Sequence, residues 1–212
     1  MNFLIFEFEN RSLVVMSWPE CRVVLLGDRL VGRSSILRWW CQRIFFDEPL
    51  IEDSYRKVIE LPDKTEWMVL VEEPRILSPS NDTPGDRFCF GQSFARADFV
   101  VLLFAIDNRK SWEKIPELIE QIKQNLPPDH LPPHALLVGT KYDRREQRQV
   151  SVEEAKQSAS EWGCMHYREC SVKNHHQVDE IFLFCAETTQ QDRLRTKNET
   201  EPRMEDGKCG VM

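Results

Sequence analysis

The chain has 212 residues, 41% of them hydrophobic and 30% charged, which suits one domain with tails and a full hydrophobic core. A net charge of −7 argues against a broad nucleic-acid-binding surface. The seven cysteines are scattered and form no C-x-x-C pair, which speaks against a disulfide framework or a zinc site and for a reducing compartment.

No window reaches the roughly 18 apolar residues of a membrane span. The opening MNFLIFEFEN lacks a basic n-region and is interrupted by Glu7 and Glu9, so it does not read as a secretory signal. Its alternation fits an extra edge strand, and a start at Met16 is the other reading. Residues 1–20 are accordingly an extension to a domain over 21–188. CRVVLLG is a short buried-strand run entering a glycine turn, and SSILRWWCQRIF after it is helical. VIEL and EWMVLVE read as strands of an antiparallel hairpin turning at Pro62 and Asp63. FVVLLFAID is a continuous apolar run, typical of a strand covered on both faces. SWEKIPELIEQIKQNL then puts Trp112, Ile115, Ile119, Ile122 and Leu126 on one helical face. ALLVGT is a fifth strand, and SVEEAKQSASEWG is a helix with a capping box at Ser151 and Glu154 and a terminating Gly163. MHYRECS is a sixth strand and QVDEIFLFCAETT a last amphipathic helix. The tail over 189–212 is polar and expected to be disordered. The fold class is α/β, a six-stranded, mostly parallel sheet with helices on both faces.

In such a sheet a ligand binds beyond the carboxyl ends of the strands, and three motifs fall there. GDRLVGRSS, residues 27–35, links a strand to a helix and has the glycine spacing of a phosphate-binding loop. Backbone N–H groups around Gly27, Arg29, Gly32, Arg33 and Ser35 would cradle phosphate oxygens, and the Ser34 hydroxyl would reach Mg²⁺. In TKYD, the Asp143 carboxylate can accept both hydrogens of the N1 and N2 edge of guanine, and the Lys141 stem can lie along the base. In ECSVK, beyond the sixth strand, Ser171, Val172 and Lys173 stand where a backbone N–H can meet guanine O6. Each motif alone is weak; three in order, each at a strand end, carry weight.

With these motifs in place, residues 21–188 and the C-terminus resemble a small GTPase of the Ras family. IEDSYRK, residues 51–57, is similar to the family's effector loop and second strand, FAIDNRKSWEKI to its fourth strand and following helix, and ECSVK to its ETSAK motif. The resemblance implies a P-loop G domain with five helices and GDP or GTP with Mg²⁺ as ligands. Thr140, Lys141 and Asp143 would be the base-reading segment, and Phe45 would pack on the guanine. Ile51, Glu52, Asp53, Ser54 and Tyr55 would form the effector surface.

Four departures from the family pattern surround the phosphates. Arg33 replaces the loop lysine with a wide planar fork, which keeps the charge but not the position. Leu50 stands in place of the threonine that ligates Mg²⁺ in the first switch. The metal-side aspartate is matched by letters at Asp82, in DTPG, or by strand-end position at Glu72; Asp86, not glutamine, follows DTPG. Arg29 and Leu30 fill positions where many members carry glycines, and would obstruct an arginine finger.

The chain ends CGVM, a C-a-a-X box in which Cys209 would take a farnesyl group. Residues 191–208 hold five basic and five acidic side chains, so no polybasic second signal exists and anchoring would be reversible. The implied protein is a monomeric guanine-nucleotide-binding signalling protein with slow or impaired GTP hydrolysis. It would work on the cytoplasmic face of membranes and in the cytosol, through effector or regulatory proteins. A pseudo-GTPase interaction module that binds little or no nucleotide is the alternative.

Overall fold

The computed structural model describes residues 4–6, 14–16, 18–43, 54–77 and 83–200. Strands β1 (Leu4–Phe6) and β2 (Val14–Met16) pair antiparallel as a sheet of their own. The N-terminal alternation is thus a hairpin rather than an edge strand of the main sheet.

That main sheet has six strands: β3 (Glu20–Gly27), β4 (Ser54–Glu60), β5 (Glu66–Glu72), β6 (Phe99–Ala105), β7 (His134–Thr140) and β8 (His166–Glu169). Their order is β4-β5-β3-β6-β7-β8, and only β4 with β5 is antiparallel. The continuous apolar runs have their physical reason here. Every residue of β6 is buried, which requires cover on both faces. In β3, Val23 and Leu25 join a cluster with Trp40 and Phe182, whereas Val24 and Leu26 join another with Phe94, Phe104 and Trp112.

The helices are α1 (Arg33–Gln42), α2 (Pro84–Ala95), α3 (Arg109–Glu113), α4 (Ile115–Asn125), α5 (Val152–Glu161) and α6 (Val178–Thr200). Six are described where the resemblance implies five, because the stretch expected as one helix after β6 breaks at Lys114. Pro116 lies in the first turn of α4, where its missing N–H costs nothing, but it cannot continue the helix from Trp112. Ser151 caps α5 by accepting from the Glu154 N–H at 3.1 Å, as expected. The reciprocal half of that box is taken elsewhere, since the Glu154 carboxylate pairs with Arg109 at 2.6 Å.

The polar C-terminal segment departs from expectation, because α6 continues to Thr200. Its charged side chains find partners at the base of the sheet. Arg193 meets Asp98 at 3.2 Å and lies over the Trp67 ring at 5.2 Å, and Asp192 meets His134 Nε2 at 2.7 Å. None of the described helices is long and apolar enough to cross a membrane.

Candidate nucleotide site

The loop between β3 and α1 starts hard against its neighbour. A Cβ on Gly27 would lie 2.6 Å from the Leu103 carbonyl oxygen, so only glycine lets the chain turn there. Gly32 has φ of 96° and is the N-cap of α1, a backbone that other residues adopt only with strain. Leu30 adopts a left-handed φ of 65° and is 88% exposed. The loop is clamped from behind, where the buried Thr140 hydroxyl sits 2.7 Å from the Val31 carbonyl and 3.1 Å from that of Phe104. It can donate to one at a time, and either bond ties the phosphate loop or β6 to the end of β7.

The first two residues of α1, Arg33 and Ser34, are the side chains expected on the phosphate side, and both are engaged by Glu73. Arg33 Nε lies 3.2 Å from Glu73 Oε1, and Ser34 Oγ lies 3.3 Å from each carboxylate oxygen. The residue beside Ser34 in the structure is thus Glu73, next in the chain to the Glu72 that the sequence offered together with Asp82. Strand parity explains it. Trp67, Val69 and Val71 of β5 face the cluster that includes α1, and Glu73 continues that odd-numbered face past the strand end. Glu72 is one residue off and belongs to the other face. Asp82 lies outside the described residues. The neighbouring residues 83–86 form a helix start, in which Thr83 accepts from the Asp86 N–H at 3.2 Å and Asp86 accepts from the Thr83 N–H at 3.2 Å. Ser34 and Glu73 are hard oxygen donors of the kind Mg²⁺ takes beside phosphate oxygens.

The base side is assembled from the loops after β7 and β8. Ser171 donates to Asp143 Oδ1 at 2.5 Å, and the Tyr142 N–H donates to the Cys170 carbonyl at 3.1 Å. Tyr142 also stacks on His176, with ring centroids 4.5 Å apart. Lys141 has φ of 61°, and its Nζ is 3.8 Å from Asp107, which also accepts from Arg144 at 2.9 Å. Gly32, Ser35, Thr140, Lys141, Asp143, Val172 and Lys173 line one cleft of about 380 Å³, where the loop and the base-side motifs meet.

Sequence reasoning missed what holds the ECSVK loop. Arg148 grips Glu169 with two nitrogens at 2.6 and 2.8 Å, and the Tyr167 hydroxyl donates to the same carboxylate at 2.5 Å. Burial works against the charge on Glu169, but Arg148 and Tyr167 outweigh it and hold the carboxyl below its ordinary range. Burial, then Glu169, push the Tyr167 phenol up. Cys170, fully buried, has its thiol pushed up to about 12 chiefly by burial, which makes it a packing residue.

Among the expected effector residues, Ser54 and Tyr55 open β4, which is an edge of the sheet. Tyr55 is 4% exposed, and its side chain packs in the core. Ile51, Glu52 and Asp53 lie outside the described residues, as do Phe45, Leu50 and Cys209.

A phosphate-type loop at the central strand, with base-side loops at the ends of β7 and β8, defines an α/β nucleotide-binding domain. The family model described as Ras family matches residues 22–191, and the chain belongs to that family. It is a small GTP-binding protein, of a family that binds guanine nucleotide with Mg²⁺.

Proposed function

We propose that this is a Ras-like signalling protein that binds GDP and GTP, engages effectors through residues 51–57, and hydrolyses GTP slowly. The observation that carries the reading is the convergence of Asp143, Lys141, Val172 and the 27–35 loop on one cleft. Asp143, held by Ser171, would accept from guanine N1 and N2, and the backbone near Val172 would donate to O6. Loop N–H groups would hold the phosphates, with Ser34 and Glu73 on the Mg²⁺ side. When bound, Mg²⁺ supplies neutralisation of phosphate charge.

Slow hydrolysis follows from what the chain lacks. Leu50 has no oxygen for a metal, no glutamine follows DTPG, and Arg29 and Leu30 crowd the path of an arginine finger. Farnesylation of Cys209 without a second signal would give reversible association with the cytoplasmic face of membranes, the plasma membrane first among them, and a cytosolic pool.

The second reading, a pseudo-GTPase acting through the edge strand β4, draws support from the engagement of Arg33 and Ser34 by Glu73. Extraction of the purified protein and chromatography of the released nucleotide separates the two. Stoichiometric GDP or GTP sinks the pseudo-GTPase, whereas an empty extract and no uptake of fluorescent GDP in excess Mg²⁺ sink the first reading.

A further inference from the structure

Arg33 and Ser34, the two side chains on the phosphate and Mg²⁺ side of the site, already contact an anion that belongs to the chain. Glu73 Oε1 is 3.2 Å from Arg33 Nε, and both its oxygens are 3.3 Å from Ser34 Oγ. The Arg33 and Glu73 side chains are 19% and 14% exposed, so water and salt screen the pair far less than a surface ion pair. Arginine's planar fork suits a carboxylate, which a lysine would meet only as a point charge. The fork is only partly used. Arg33 Nη1 is buried and has no hydrogen-bond partner among the described residues.

We propose that Glu73 is a built-in competitor of the nucleotide phosphates, holding Arg33 and Ser34 until a phosphate displaces it. The proposal rests on the guanine-nucleotide reading above and adds what sets affinity. A carboxylate fixed at the end of β5 competes at the high effective concentration of an intramolecular ligand. Carboxylate and phosphate are both anions, so the same two donors cannot serve both without a cation between them. Arg33 and Glu73 therefore act together: the arginine that fits phosphate less well than lysine fits this carboxylate better.

The test uses the full chain, fluorescent GDP, and the variants E73Q, R33Q and the double. Titrations run in EDTA remove any role of Glu73 as a metal ligand. There E73Q is expected to bind GDP about tenfold more tightly than the unsubstituted chain; equal or weaker binding overturns the proposal. Thermal unfolding without nucleotide gives a second arm. Each single variant should lower Tm by about 2–4 °C, and the double by no more than either single. Additive shifts show that the pair does not form and overturn the proposal whatever the GDP arm shows. Failure of every variant to bind GDP sinks the nucleotide reading instead, and the unfolding cycle alone then decides whether Glu73 holds the loop.

Discussion

The hydroxyl of Ser171 lies 2.5 Å from Asp143 Oδ1, so the strand-end loop after β8 positions the carboxylate that the loop after β7 contributes. A hydrogen bond to a charged group contributes roughly 1.5–3 kcal/mol. Ser171→Ala should weaken GDP binding about tenfold or more, because Asp143 is then free to turn away from the base. Inosine diphosphate lacks the N2 donors and should lose less. Competition titrations of the two nucleotides check this, and an unchanged preference would mean that Asp143 does not read N2.

Arg148 and Glu169 form a two-point ion pair behind the base-side loop, at 2.6 and 2.8 Å, with side chains only 20% and 11% exposed. Removing one partner of a covered pair strands the other charge, at a cost of about 3 kcal/mol. Arg148→Met should lower the stability of the whole domain by that order, measured by urea unfolding. The pH dependence has a fixed sign. The folded Glu169 carboxyl is held below the ordinary glutamate value, so the stabilisation is complete above that ordinary value. It is lost as pH falls through the depressed folded value, where the group protonates. The unsubstituted protein should therefore lose more stability than Arg148→Met on acidification from neutral pH.

What could be read from the sequence was whatever depends on short-range pattern. The unbroken apolar run of β6 identifies a strand covered on both faces, and Asp143 and Val172 fall at strand ends because strands end where apolar runs do. Glu73 escaped because its role depends on which face of β5 it continues. A shift of one residue reverses that, and neither letters nor counting resolve a shift so small. The break at Lys114 escaped because the apolar spacing from Trp112 to Leu126 is continuous, while Pro116 starts a second helix. The helical run to Thr200 escaped because its stabilising partners, Asp98, Trp67 and His134, are far away in the chain. A polar segment looks disordered until those contacts are known.

Membrane attachment is expected to depend on Cys209 alone. A single lipid chain binds membranes only marginally, and the five basic and five acidic side chains over residues 191–208 add no net attraction to anionic lipid. Cys209→Ser should move the protein wholly into the soluble fraction of a cell lysate. The unsubstituted chain should divide between membrane and cytosol, and persistence of the variant on membranes would reveal another anchor.

Arg33→Lys tests the residue that separates this loop from the family pattern. Lysine carries the same charge on a slimmer stem and presents it as a compact ammonium rather than a fork. Against Glu73 it loses the planar match, and against phosphates it can thread between oxygens that arginine must straddle. Both effects act in the same direction. GDP should bind about tenfold more tightly to Arg33→Lys, read by titration with fluorescent GDP in Mg²⁺. GTP hydrolysis in a single turnover should stay slow, because Leu50 and the missing glutamine are unchanged. An affinity equal to that of the unsubstituted chain would mean that residue 33 does not contact phosphate. A tight but still slow enzyme would place the defect in affinity at residue 33 and the defect in chemistry at the switches.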